Sequence, residues 1–576
     1  MLRLNNYMSP IRDQIANIFF PKVRKKDPTF LISNGMKKPI LLFCLLFFLG
    51  IGISAQAETL GEKRNFYIES SYDLSQREEL TAVLIKTTPQ LYFYADEKWW
   101  NFSPQNIVYQ ALTDLEEEFE NKIYPTLTLA FGSEWKPGID KDSHITVLIH
   151  PMDEEAGGYF KSGDEYPRLQ VSNSNEREMI YLNSDFITDP ISKSFLAHEF
   201  LHLITFNQKV KQYDTEEEIW LNEARAEYVP TLLGYDEKYE GSNLQKRVRI
   251  FLENPSDSIT EWQSKKTDYG ALNLFTQYLV DHYGVKILAN SLHSKLTGIP
   301  SLNEALKENG FSKDLSQIFV DWTIAVSIND CLYGEKYCYL NQNLKDLYVI
   351  PSMNFLPLTG ESTLSVTNIT KDWSGNWYKF VGGKGDLKLE FAGSSWVNFK
   401  VPYIIKNIQG DYLVSFLSLD KNQKGEIYIP DFGTKNTSLI IIPSVQSKIS
   451  GFSGSEPIYS FFWSASNIKE PPQPQSQPEP EPQPEPKPQP QPQPEPEPQL
   501  EPQLNPQLQP QPEPQLEPQP EPDKGRLIIK MFIEKLSAKI AEFKARLTDF
   551  LRKIITGIQF KIAEFQANLR IWQIKF

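Results

Sequence analysis

Three cysteines and six histidines in 576 residues leave little raw material for metal or redox chemistry. So few thiols exclude a disulfide-stapled scaffold and a cysteine-ligated zinc module. Long apolar runs are also scarce. The run from Ile40 to Ile53 holds about 14 residues, short of the roughly 20 that a membrane span needs. Basic charge is outweighed, with a net charge of −14, and this acidic balance argues against nucleic acid as a partner.

What is present begins with an export pattern. Met36-Lys37-Lys38 precedes the apolar run, and Ala55-Gln56-Ala57 follows it, which reads as a signal peptide over 36–57. Residues 1–35 then form an N-terminal extension, from a mis-assigned start or a cytoplasmic prefix. A mature chain from Glu58 is expected, with an uncleaved signal anchor as the alternative. The localisation expected is secreted or cell-surface attached.

Two of the six histidines stand four apart around a glutamate, in His198-Glu199-Phe200-Leu201-His202. On a helix, positions i and i+4 share a face, so both rings can point at one ion. Zinc accepts imidazole nitrogen, takes a third protein ligand and keeps its fourth position open. Glu199 is placed to act as a general base on water. Asp189-Pro190 reads as the start of this helix, with Asp189 as N-cap, and Ile191, Phe195, Leu196, Leu203 and Ile204 give it an apolar face.

A second helix is expected over Trp220-Leu221-Asn222-Glu223-Ala224-Arg225-Ala226-Glu227-Tyr228, with Glu216-Glu217-Glu218 favouring its positive end. Glu223 is read as the third zinc ligand. Glu227, one turn on, is read as an outer carboxylate receiving the remaining N–H of a zinc histidine, and Asn222 as doing similar work.

HEFLH followed by NEAR resembles the gluzincin metallopeptidases, of which thermolysin is the familiar member. WLNEARAEY is similar to the WLNEGxAEY form of secreted bacterial gluzincins, and HEF-x-H-L-I to the hyicolysin-like type. Arg225 departs from this pattern, standing where the family often has Gly. A metzincin would need a third histidine at position 208, which is Gln. The resemblance covers roughly residues 100–330 and implies one catalytic Zn2+ and a protein or peptide substrate. It also implies a Tyr or His that donates to the oxyanion, for which Tyr269 is the candidate and His282 and His293 are rivals. A helix over 105–120 and strands over His144–Ile149 and Glu178–Asn183 fit the implied framework, in which a strand beside the helix edges the cleft. Gly157-Gly158-Tyr159-Phe160 reads as a turn, or as part of that rim. His144 and His150 read as structural.

The expected architecture is multidomain α+β. A zincin-type peptidase domain spans 58–350, with the role of 58–100 open between fold and propeptide. Cys331 and Cys338 can close a small disulfide loop there, or remain free thiols. Short β-rich runs over 355–468, eight in number from Leu364 to Ser464, argue for a β-sandwich. Such a module could bind carbohydrate or protein; its Trp373, Trp377 and Trp396 could stack on a sugar, or belong to its core. Residues 470–522 hold 22 of the chain's 42 prolines and read as a Pro/Glu/Gln-rich linker, on the order of 160 Å when fully extended. Residues 526–576 carry 11 Lys/Arg against 4 Asp/Glu. A 22-residue repeat there marks a basic amphipathic helix for a membrane surface or a helical partner.

Taken together these patterns describe a secreted or surface-attached zinc endopeptidase. The alternatives are a surface adhesin with a non-catalytic zincin-like scaffold, or a zinc aminopeptidase.

Overall fold

Leu91–Asp96, Ile145–His150 and Met179–Asn183 are buried along their whole length in a computed structural model that describes residues 58–468 except 154, 155 and 359. The extension, signal peptide, linker and tail expected from the sequence lie outside these described residues. Uninterrupted apolar runs of this kind are strands covered on both faces. The sheet they centre has six strands: β1 (Lys63–Tyr67), β2 (Glu79–Thr87), β3 (Leu91–Asp96), β4 (Ile145–His150), β5 (Gly158–Phe160) and β6 (Met179–Asn183), in the order β1-β2-β3-β4-β6-β5. β3, β4 and β6 run parallel, and β5 pairs antiparallel with β6 at the edge. Residues 63–96 thus supply three strands of the sheet, one of them hydrogen-bonded to β4.

Alternation along each strand divides the core in two. Leu91, Phe93 and Ala95 face the helices, whereas Tyr92 and Tyr94 face Phe66, Leu148 and Tyr181 on the other side. The helices are α1 (Glu97–Phe102), α2 (Gln105–Glu118), α3 (Tyr124–Phe131), α4 (Ser192–Thr205), α5 (Ile219–Leu232), α6 (Asn243–Glu253), α7 (Asp268–Tyr283), α8 (Lys286–Leu292), α9 (Gly298–Glu308) and α10 (Leu315–Ile328). None of the described helices is long and apolar enough to cross a membrane.

One helix start differs from expectation. Asp189 does not cap α4; its side chain accepts from Ile191 N at 2.9 Å and closes a turn ahead of Ser192. The triple glutamate stands immediately before α5, at its N-terminal end, as expected. Glu218 is its N-cap residue without a side-chain cap, and Glu217 is drawn into the interior by buried cations.

Gly157 and Gly158 form no simple turn. Gly158 opens β5, and a Cβ there would stand 2.5 Å from Tyr181 O and 3.2 Å from Glu199 Cγ; one on Gly157 would meet the Phe195 ring at 2.4 Å. Glycine is required because β5 lies directly on α4. Gly158→Ala is expected to push β5 off the helix and cost about 1–3 kcal/mol, read as a lower midpoint in urea unfolding. An unchanged midpoint would mean that this contact is loose.

Beyond the helices lies a β-rich unit built on a nine-stranded sheet that folds into two layers, with a separate two-stranded ladder. Its strands are β7 (Ser352–Leu356), β8 (Ser362–Lys371), β9 (Tyr378–Gly382), β10 (Gly385–Gly393), β11 (Phe399–Lys400), β12 (Pro402–Asn407), β13 (Tyr412–Phe416), β14 (Lys424–Phe432), β15 (Asn436–Ile441), β16 (Ser444–Val445) and β17 (Ile458–Ile468). β8-β17-β10-β14 form one layer and β13-β12-β15-β9-β7 the other, joined at a corner where Phe432 pairs Asn436. Leu389, Phe391, Ile429, Leu439, Phe461 and Trp463 fill the space between. The first strand starts at Ser352, upstream of 355, and the run Val397–Lys406 breaks into β11 and β12.

This unit shares a core with the helices. Trp373 is fully buried and packs on Phe319 at 5.5 Å, and Trp377 Nε1 donates to Thr323 O at 2.9 Å. Neither ring is available to a sugar, and only Trp396 of the three is exposed, at 90%. Cys331 and Cys338 are joined by a disulfide, with Cα atoms 5.1 Å apart.

Candidate active site

α4 and α5 are antiparallel partners in the core, and together they carry the chemistry-bearing residues. Apolar Leu196, Ala197, Phe200, Leu201, Leu203 and Ile204 fix the rotation of α4. The remaining stripe, His198 and His202, is therefore turned toward α5, where Glu223 meets both. His198 Nε2 lies 3.3 Å from Glu223 Oε2, and His202 Nε2 lies 3.6 Å from Glu223 Oε1. One ligand atom from each of the three falls within 4.8 Å of the others. Among the described residues no other group of three His, Cys, Asp or Glu side chains converges in this way.

The other ring nitrogens are held from behind. Asn222 Oδ1 lies 3.1 Å from His202 Nδ1, and Glu227 Oε1 lies 3.6 Å from His198 Nδ1. Arg247 on α6 grips Glu227 with two 2.7 Å bonds, and Asn243 and Asn273 add further donors at 3.2 and 3.3 Å. Burial alone would raise the Glu227 carboxyl, but Arg247 outweighs it and holds the group below the usual carboxylate range. An ionised Glu227 is the state that can accept from a histidine N–H.

A zinc ion fits this donor set. Two imidazole nitrogens and a carboxylate oxygen are the ligand types it prefers. Glu223 Oε2 is buried without a hydrogen-bond donor, as an oxygen reserved for a cation would be. Glu199 stands beside His198 with its methylene against Gly158. Burial pushes its carboxyl up to about 8; His198 pulls it back, and Glu223 and Glu227 push it further up.

Tyr269, at the start of α7, lies with its ring over the Arg247 guanidinium at 4.3 Å and edge-on to Trp262 at 4.9 Å. Burial, then Glu223 and Glu227, raise its hydroxyl well above the ordinary range, so it is a proton donor at any working pH. The rival histidines lie elsewhere. His282 donates to Cys338 O at 2.9 Å, and His293 sits near Arg225 and Lys209. His144 stacks on Tyr92 at 4.1 Å, and His150 is fully buried against Asp73 at 3.2 Å.

Arg247, Asn243 and Asn273 were not singled out from the sequence, and no local pattern marks them. Nor was Tyr72, whose ring stacks on Tyr159 of β5 at 4.8 Å. Arg247, one of three basic residues in α6, looks like part of a solvated face until α5 is packed against it.

The structure thus sets a His-His-Glu cluster with a neighbouring glutamate into a mixed α+β fold. No family model matches the chain. It is similar to the neutral metalloprotease ShpI of Staphylococcus hyicus, at 25% identity over 240 residues, which cover 37% of this chain and 52% of that protein. The chain therefore spans about half the length of the relative it matches. Among solved structures, the M60 catalytic domain with two CBM51 domains of Clostridium perfringens ZmpB aligns at 9% identity and a TM-score of 0.22, over 67% of this chain and 59% of that one. The pre-peptidase C-terminal domain of a Bacillus anthracis collagenase aligns at 8% identity and 0.14, over 20% and 96%. Scores this low leave the description of the fold to the strands and helices themselves.

Proposed function

We propose that the chain is a zinc-dependent endopeptidase of the gluzincin kind, exported and acting on extracellular proteins. The observation that carries this reading is the convergence of His198, His202 and Glu223, with Glu199 beside them and an open sheet edge alongside. His198, His202 and Glu223 would hold the ion. Zinc, when bound there, supplies Lewis acidity for the scissile carbonyl and makes water more acidic. Glu199 takes a proton from the attacking water and later passes it to the leaving amine. Asn222 and Glu227 keep the two imidazoles in the tautomer that leaves each inward nitrogen free. Tyr269 donates to the oxyanion. Among the described residues β5 is the outermost strand of its sheet, an edge that an extended peptide can join, a mode of binding with little side-chain selectivity.

Casein turnover by the purified chain is expected to stop on treatment with a zinc chelator and to return with added zinc. Equal cleavage of amino-blocked and free peptides would separate an endopeptidase from an aminopeptidase. A zinc-loaded chain that cleaves neither substrate would leave the adhesin reading standing.

A further inference from the structure

Backbone pairing along β5 leaves most substrate side chains unread, but one place beside that edge is already filled. Tyr159 of β5 and Tyr181 of β6 stand directly opposite in the ladder, and their rings stack at 4.1 Å with planes 9° apart. Among the described residues β5 is the outermost strand, so the other face of the Tyr159 ring looks away from the sheet. Tyr72 covers that face, stacked at 4.8 Å with planes 12° apart. Neighbouring strands lie about 4.7–4.9 Å apart. The Tyr72 ring therefore occupies the place of a side chain on the next strand out, although it arrives there from the connection between β1 and β2.

That connection is pinned on both sides of the ring. Asp153 N donates to Tyr72 O at 3.0 Å, and Leu74 N donates to Pro151 O at 3.2 Å. Glu69 N donates to the Tyr159 hydroxyl at 3.2 Å. The next residue, Asp73, is buried, with its carboxylate 2.7 Å from Arg77 Nη2 and 3.2 Å from His150 Nδ1. Tyr72 itself is 41% exposed, so its ring is a wall and not part of the core. The wall faces the cleft. Burial raises the Tyr72 hydroxyl above its ordinary value, and the carboxylates of Glu199 and Glu223 push it further the same way.

We propose, resting on the endopeptidase reading, that Tyr72 determines specificity by closing one side-chain subsite of the extended peptide to all but small residues. A substrate residue paired opposite Tyr159 carries its side chain on the same face as Tyr159. The Tyr72 ring fills that space. Glycine, alanine or serine fits beside it, whereas leucine or phenylalanine has to lift the ring off Tyr159 against a pinned backbone. The substrate residues on either side point to the opposite face. There Gly158 presents no side chain, and Phe160 faces His202 with ring centroids 6.3 Å apart, so Tyr72 sets no limit on them. A Cβ on Gly158 would stand 3.2 Å from Glu199 Cγ, which places the closed subsite close to the scissile bond.

The test gives a randomised peptide mixture to the zinc-loaded full chain, as wild type, Tyr72→Ala and Tyr72→Phe, and reads the cut sites by mass spectrometry. Wild type is expected to show one position beside the cut confined to Gly, Ala and Ser. Tyr72→Ala should admit Leu and Phe there, raising turnover of a Phe peptide relative to its Gly counterpart by roughly tenfold or more. Tyr72→Phe keeps the ring and should keep the wild-type preference. Large residues accepted by wild type at every position around the cut, or a Tyr72→Ala profile equal to that of wild type, overturn the proposal while leaving the endopeptidase reading intact. The same mixture is passed over zinc-loaded Glu199→Gln, with and without Tyr72→Ala, and the retained peptides are sequenced. If wild type cuts nothing but the retained peptides show the restriction and its release, the hydrolytic reading falls and the closed subsite stands. Neither cutting nor retention overturns both. Should Tyr72→Ala fail to fold, the wild-type profile still decides.

Discussion

Replacing Glu199 by Gln is expected to cut casein turnover by roughly 10²–10⁴-fold while zinc uptake stays at one ion per chain. The amide keeps the size of the carboxyl, so its contact with Gly158 should survive and α4 should stay in place. It cannot take a proton from water. His198, His202 and Glu223 are untouched, so the metal count separates loss of the base from loss of the ion. The same experiment weighs the adhesin alternative, since a zinc site used only as a scaffold has no need of a base. Equal turnover by the variant and wild type, both zinc-loaded, would sink the hydrolytic role of Glu199.

Arg225→Ala is expected to destabilise the chain by about 3–5 kcal/mol, the range for removing one partner of a buried ion pair. Arg225 is 0% exposed and meets Glu217 at 2.8 Å, Leu288 O at 3.2 Å and Ser291 Oγ at 2.8 Å. Lys209, 3.6 Å from Glu217, donates to the carbonyls of Ser291, Ser294 and Leu296. Truncating Arg225 leaves Glu217 buried with a weaker counterion. The double change Arg225→Met with Glu217→Gln removes both charges, and its loss should be clearly smaller than the sum of the two singles. Urea unfolding reads this out. A loss under about 1 kcal/mol for Arg225→Ala would mean that water already reaches the pair. Arg225 lies two residues from Glu223 on α5, so part of the stability it adds holds a candidate ligand in position.

How far the site was legible depends on where each partner lies in the chain. His198 and His202 are one helical turn apart, and helix geometry alone aligns them. Glu223 and Glu227 are legible as a pair for the same reason. That α5 turns this pair toward α4 follows from the packing of both helices on the sheet. The Asp189 and Glu216–Glu218 signals pointed to helix starts, yet side-chain partners elsewhere claimed Glu217. The 157–160 segment offered two readings. It became an edge strand because β6 presented a free side and because two glycines let β5 sit on α4. Trp373 and Trp377 carry nothing local that distinguishes a sugar platform from a core ring. The helical core beside the sandwich decides it.

By itself the sequence determined the histidine spacing, the glutamate between them and the strands β4 and β6. All of these follow from periodicity within a few residues. Only the tertiary structure decided that Arg247 holds Glu227, that Arg225 neutralises Glu217, and that β5 forms the outer edge. Each of those pairs joins separate elements, and burial removes the water that would otherwise satisfy them. The identity of such a partner is therefore set by which surfaces pack together, and no residue encodes that alone.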